Sequence, residues 1–234
     1  MNRQELESQR DNLKNLFDQS VSQQTSFQNG LDAINVKLME LESIESEKKS
    51  ISPIHLRNTP PPMETFDHPA FLEMFFTWLK PERYLELGVR DGNCFNRVVS
   101  LCKHSIGVDT IPPRISVSEN VEYYQMNTDD YFKQLDPSIM FDAVFIDADH
   151  SHAQSLKDFI NVKDKVVVDG FIFLHDTYPY DRSLFSPQLC NDVYRTALHI
   201  KENYYSEFEY ITLPFNPGFT ILKKMDHSKQ LIYK

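Results

Sequence analysis

Cysteine is scarce: Cys94, Cys102 and Cys190 are the only three in 234 residues, far apart and without a CxxC pair. That spacing gives neither a disulfide framework nor a zinc knuckle, and it suits a reducing compartment, so a cytoplasmic location is expected. Basic residues are outnumbered, 24 Lys and Arg against 34 Asp and Glu, for a formal net charge of −10. So acidic a chain, with no Lys/Arg cluster, has no general affinity for nucleic acid or for anionic membrane surfaces. Long apolar runs are missing too. The longest, around 166–174, is far too short to span a bilayer and is broken by Asp169 and Gly170, and the N-terminus lacks an apolar signal core. Neither a nucleic-acid nor a membrane partner is expected. Glycine is the last shortage: only six occur, so two that flank a single turn, Gly88 and Gly92, carry information.

Aromatic residues are plentiful instead. With 41% hydrophobic residues, including 17 Phe and 11 Tyr, the chain can bury a substantial core. Residues 1–50 stand apart, with no proline and much Gln, Glu, Ser and Leu. Placing Leu6, Leu13, Phe27, Ile34 and Leu41 at heptad position d puts Phe17, Leu31 and Leu38 at a, with Ser20 and Gln24 softening the middle. So narrow a stripe needs a partner helix, which predicts a coiled coil and a homo-oligomer. A long helix folded back on its own domain is the alternative. Residues 51–64 carry four prolines and no periodicity, so they form a linker. Residues 65–234 remain as one domain.

In that domain a helix is expected at 66–80, and then strands and helices alternate. Apolar runs at 83–87, 105–109, 121–125, 142–146 and 171–175 read as buried strands, with helices near 93–102, 129–135 and 151–163. Alternation of this kind predicts an α/β fold, a doubly wound and mainly parallel Rossmann-like sheet with helices on both faces. A further helix at 187–204 precedes strands at 208–213 and 219–224. The short turn between those two allows only an antiparallel hairpin.

The turn Glu86-Leu-Gly88-Val-Arg-Asp-Gly92 leaves the first strand and enters a helix. Glycine there permits a sharp bend and close ligand approach, and the helix N-terminus supplies N–H groups. An acid in front, and spacing Gly-x-x-x-Gly, disfavour a pyrophosphate and suit a ligand bearing an amine or sulfonium. Asp109 ends the second strand, where a carboxylate can accept bonds from two ribose hydroxyls. In these residues the chain resembles the class I S-adenosyl-L-methionine-dependent methyltransferases. The resemblance implies that Glu86, Gly88, Gly92 and Asp109 bind this cofactor and that Asn127 and Thr128 lie near its adenine. A plain helix cap is the competing reading of residues 127–129.

Two further blocks, Phe145-Ile-Asp147-Ala-Asp149-His150 and Leu174-His175-Asp176-Thr177, end successive buried strands, at the edge where open α/β sheets bind ligands. Asp147 and Asp176 are expected to approach one another, which requires a cation or a proton between them. These blocks resemble the branch of the superfamily that contains macrolide and aminocoumarin sugar O-methyltransferases, over about residues 84–224. The resemblance implies a small-molecule hydroxyl acceptor, a proton acceptor at Asp149 or His150, and a divalent metal such as Mg2+ at Asp147, His175 and Asp176. Asp147 also borders the cofactor. The chain departs from its relatives in placing His175 where they often carry a carboxylate, and imidazole is a poor magnesium ligand. His152 reads as a packing residue and Asp158 as a solvated charge on the helix. The aromatic-rich loop 177–188 is expected to shape the acceptor pocket. Two readings compete: a cofactor-binding scaffold without methyl transfer, and a nucleotide-sugar or dinucleotide enzyme of similar fold.

Overall fold

A computed structural model describes residues 66–115 and 118–226. The heptad-patterned stretch 1–50 and the proline-rich 51–64 lie outside the described residues. The domain opens with helix α1, His68–Leu79. Asp67 caps it by accepting from the Ala70 N–H at 2.9 Å, Pro69 fits the first turn, and Lys80 in the left-handed conformation ends it. Leu72 and Phe76 face inward from α1, while Trp78 stays 86% exposed.

Strands and helices then alternate: β1 (Arg83–Leu87), α2 (Asn93–Val98), β2 (His104–Asp109), β3 (Val121–Gln125), α3 (Thr128–Gln134), β4 (Phe141–Ile146), α4 (His152–Lys163) and β5 (Val166–His175). The chain ends with α5 (Tyr194–Asn203), β6 (Phe208–Leu213) and β7 (Phe219–Lys224). All seven strands form one sheet in the order β3-β2-β1-β4-β5-β7-β6. The first five strands pair in parallel, and β7 inserts antiparallel between β5 and β6. The expected architecture is therefore present, a Rossmann-like sheet closed by an antiparallel hairpin. The order reverses between β1 and β4, so the crevice beyond their carboxyl ends is the topological switch point.

Aromatic rings fill the layer between α1 and the sheet. Phe76 meets Tyr84 edge-on at 5.0 Å, and Phe75 meets Phe173 at 5.4 Å. Phe145 and Phe219 continue the same cluster toward the strand tips. Two sequence boundaries move by five residues or more. Strand β5 starts at Val166, five residues early, because Asp169 (φ 63°) and Gly170 form an irregular step rather than an end. Helix α5 starts at Tyr194 instead of 187, because Asn191 adopts φ 45° and Asp192 turns its carboxylate to the His152 N–H at 2.6 Å.

Candidate active site

The loop after β1 is held by its glycines. Gly88 has φ 87°, and a Cβ there would lie 2.1 Å from the Asp147 carbonyl oxygen, so its bareness lets the tips of β1 and β4 meet. The Gly88 N–H donates to the Val108 carbonyl, and the Asp147 N–H to the Leu87 carbonyl. Gly92, also left-handed at φ 78°, forms the N-cap of α2 and faces the Arg114 carbonyl, which Asn96 holds at 3.1 Å. Asp109 stands at the tip of β2 beside this loop. Its carboxylate accepts from the Arg90 N–H at 2.7 Å and the Ile111 N–H at 3.1 Å, which fixes its orientation.

Glu86 lies one strand position inward and is 1% exposed. Tyr84, on the same face of β1, donates its hydroxyl to Glu86 Oε2 at 2.6 Å. Burial pushes the Glu86 carboxyl up to about 8, so near neutral pH it is mainly the uncharged acid. The motif suggested an acid beside a cationic ligand; the fold buries the group next to Tyr84.

The second half of the site lies at the tips of β4 and β5. Asp147, His175 and Asp176 bring ligand-type atoms within 4.8 Å of one another. His175 Nδ1 stands 3.3 Å from Asp147 Oδ1 and 3.3 Å from Asp176 Oδ1. His150 Nε2 stands 3.6 Å from Asp147 Oδ1 and 3.4 Å from Asp176 Oδ2. The His150 Nδ1 faces the Leu189 carbonyl, an acceptor only, which places the ring proton on Nδ1 and leaves Nε2 toward the carboxylates. Cys190 donates its thiol to Asp176 Oδ1 at 3.3 Å.

Charge and burial oppose each other here. Burial lowers the affinity of His175 for a proton, but Asp147 and Asp176 outweigh it and hold the ring up at about 10. Burial works to raise the Asp147 carboxyl, yet the two imidazoles keep it well below the usual carboxylate range. The neighbouring Asp147 carboxylate, with Asp176, raises His150, against burial. Sequence reasoning missed His68, the first residue of α1, whose ring packs on His175 at 4.1 Å between centroids. Burial first, and then the charge of His175, lowers His68 to about 4. A lone histidine ahead of the strand–helix pattern carries no motif that would have marked it.

The other residues singled out in the sequence make bonds of their own, and Asp149 lines the cavity with Asp147, His150 and Asp176. Asp149 is exposed and its Oδ1 caps the turn by accepting from the Ser151 N–H at 2.7 Å. Asn127 caps α3, accepting from the Asp130 N–H at 2.8 Å, as the competing reading had it. Thr128 accepts from the Gln154 side chain at 3.0 Å, between α3 and α4. His152 is buried in packing as expected, with Nδ1 2.8 Å from Thr196 Oγ1. Asp158 corrects the sequence reading: it is 0% exposed, bonded to Gln154 at 3.1 Å, with Oδ2 lacking a hydrogen-bond partner. Helix α4 turns that position onto α3 and not to solvent, and burial lifts its pKa to about 7. No helix among the described residues is long and apolar enough to cross a membrane.

Comparison with known proteins agrees with this layout. Residues 85–177 match the model of a family described as a methyltransferase domain. No curated protein matches the chain. Among solved structures, the chain is similar to an SAH-bound methyltransferase from Podospora anserina, at TM-score 0.55 and 16% identity over 81% of this chain and 96% of that one. An O-methyltransferase of tomaymycin synthesis from Streptomyces achromogenes, in complex with SAM, gives TM-score 0.55 and 14% identity over 72% of this chain and 84% of that one. An O-methyltransferase from Bacillus cereus in complex with SAH gives TM-score 0.52 and 14% identity over 81% and 90%. The likeness establishes the Rossmann-like methyltransferase fold.

Proposed function

We propose that this domain binds S-adenosyl-L-methionine and transfers its methyl group to a hydroxyl of a small molecule or sugar. One observation carries the reading: the topological switch point between β1 and β4 gathers Asp109 on one side and Asp147, His150 and Asp176 on the other. The cofactor fits the chemistry on the first side. Asp109 is held rigid by two backbone N–H groups, with oxygens suited to vicinal ribose hydroxyls, and the left-handed turn Gly88–Gly92 keeps side chains off the adjoining loop. Glu86 is buried on β1 just ahead of the loop and accepts from the Tyr84 hydroxyl. Asn127 and Thr128 have their side chains engaged within the fold and receive no cofactor hydrogen bond in this proposal. The bound cofactor supplies an electrophilic methyl on a sulfonium.

His150 is assigned as the base. Its tautomer is set by the Leu189 carbonyl, its Nε2 faces the crevice, and Asp147 strengthens it as a proton acceptor. Asp149 lines the same cavity but its Oδ1 accepts from the Ser151 N–H, and it is not assigned this role. Nε2 takes the acceptor hydroxyl's proton while the acceptor oxygen forms its bond to the methyl carbon and the carbon–sulfur bond breaks. The sulfonium becomes a neutral thioether, and the proton leaves later from His150 to solvent. Asp147 and Asp176 orient the imidazole and stabilise its protonated form. Magnesium does not fit the donor set well: it prefers oxygen ligands and keeps its waters, whereas imidazoles stand at two corners here. No step is routed through it.

The test is transfer of a labelled methyl from S-adenosyl-L-methionine to an extracted pool of small metabolites. We expect a labelled product with the unaltered chain and at least a 100-fold loss with His150→Gln, the scale of a general base. Equal turnover by the variant removes His150 from the role. Cofactor binding without any labelled product favours a non-catalytic scaffold.

A further inference from the structure

Three residues of one short segment ahead of α5, residues 189–192, bond separately to the strand tips of the site. The Leu189 carbonyl accepts from His150 Nδ1. The Cys190 thiol donates to Asp176 Oδ1 at 3.3 Å, while Oδ2 of the same carboxylate faces His150. Asp192 Oδ1 accepts from the His152 N–H at 2.6 Å, two residues beyond His150. The segment is itself anchored. The Asn191 N–H donates to the Leu184 carbonyl at 3.1 Å, and the Val193 N–H to the Cys190 carbonyl at 3.2 Å. Cys190, Asp192 and Val193 are buried. Thr196 Oγ1 on α5 meets His152 Nδ1 at 2.8 Å and Ser155 Oγ at 2.6 Å, which ties α5 to α4 beside the segment.

These bonds decide where the neutral His150 ring carries its proton. Nε2 stands 3.6 Å from Asp147 Oδ1 and 3.4 Å from Asp176 Oδ2. Both are longer than a closed charge-assisted bond of about 2.7–2.9 Å. A carboxylate is a stronger acceptor than a carbonyl, so a ring free to shift would close one of these gaps and place its proton on Nε2. That tautomer has no lone pair toward the crevice. The Leu189 carbonyl holds the opposite tautomer, and Asp192 fixes the backbone just after His150. Cys190 restrains the carboxylate that would draw the ring away.

We propose that residues 189–192 form a strap that keeps His150 in its Nδ1–H tautomer with Nε2 free, and that Cys190 and Asp192 are the positioning residues through which the strap acts. The strap follows directly on the loop 177–188 and is bonded to it at Leu184, so one stretch of chain both borders the crevice and sets the base. The effect on turnover rests on the methyl-transfer reading; the hold on the ring does not.

The test is nitrogen–proton NMR of the full chain with isotope-labelled histidine at pH 9, the His150 signals being assigned by their loss in His150→Gln. We expect the His150 proton on Nδ1 in the parent. Asp192→Ala and Cys190→Ala, each checked for native circular dichroism, should shift the ring toward the Nε2–H tautomer by at least about fivefold, the scale of one net hydrogen bond. Asp192→Asn keeps an acceptor and Cys190→Ser keeps a donor, so each should return the tautomer ratio to within about twofold of the parent. A parent ring with its proton on Nε2, or an unchanged ratio in a folded alanine variant, overturns the proposal. If one alanine variant does not fold, the parent spectrum and the other variant decide. Labelled methyl transfer on the same samples separates the two claims. In the alanine variants kcat should fall at least about tenfold, with KM for S-adenosyl-L-methionine within about twofold. An Nδ1–H ring in a parent that transfers no methyl removes the methyl-transfer reading alone.

Discussion

Asp158→Asn should stabilise the domain at pH 8 and do nothing of the kind at pH 4. Asp158 is completely buried on α4, takes one bond from Gln154 at 3.1 Å, and leaves Oδ2 with no hydrogen-bond partner. Burial, opposed by the neighbouring polar groups of Thr128 and Gln154, raises its pKa from 3.8 to about 7. The fold therefore holds the proton more tightly than the unfolded chain does. The stability linked to that proton is fully present below 3.8 and is lost progressively as pH climbs toward 7. At about 1.4 kcal/mol per pH unit, the ionised form sits ~4 kcal/mol above the neutral one as a ceiling. Asparagine is neutral at every pH and keeps an acceptor for Gln154, but its amide N–H groups inherit the unpartnered position at a cost of about 1–3 kcal/mol. The net gain at pH 8 is then about 1–3 kcal/mol, which is about 2–10 °C in melting temperature for a domain of this size. Thermal melts of both proteins at pH 4, 6 and 8 measure it. A variant that melts lower than the parent at pH 8, or by the same offset at all three values, refutes the reasoning.

Glu86→Gln should behave in parallel: the loss of stability that the parent shows between pH 4.5 and about 8 should be absent from the variant, because glutamine still accepts from Tyr84 without a charge to bury. Urea midpoints at pH 6 and pH 9 test this, and an equal drop in both proteins counts against it. Gly88→Ala should cost at least about 3 kcal/mol, since its Cβ would sit 2.1 Å from the Asp147 carbonyl and φ is 87°. A thermal melt within about 2 °C of the parent would show that the strand tips can separate. Asp147→Asn should lower methyl transfer at least 100-fold while leaving S-adenosylhomocysteine affinity within about threefold, measured by labelled transfer and by calorimetry.

What the sequence revealed follows a physical division. Strands β1, β2, β4 and the inner half of β5 are short apolar runs that end in polar tips, so both their identity and the edge they serve were legible at Asp109, Asp147 and Asp176. Strand order was not, because adjacency depends on which helices cover which face. Asp158 was misjudged for a related reason: a charged residue on a helix is solvated by default, and only the packing of α4 on Thr128 and Asp129 buries it. Glu86 was read from its motif as an acid beside a cationic ligand, and its burial on the Tyr84 face of β1 was not legible there. The late start of α5 depends on a contact across 40 residues, from the His152 N–H to Asp192, which no local pattern encodes. His68 reaches the site from a helix ahead of the alternating pattern, and nothing in its neighbours announces that placement.

The most direct measurement is a calorimetric titration of the full chain with S-adenosylhomocysteine, alongside NAD and a nucleotide sugar. The account requires one nucleoside site per chain, loss of at least tenfold in affinity with Asp109→Ala, and no comparable binding of the other two ligands. Saturable binding of NAD or the nucleotide sugar in place of S-adenosylhomocysteine, or full affinity in Asp109→Ala, contradicts it.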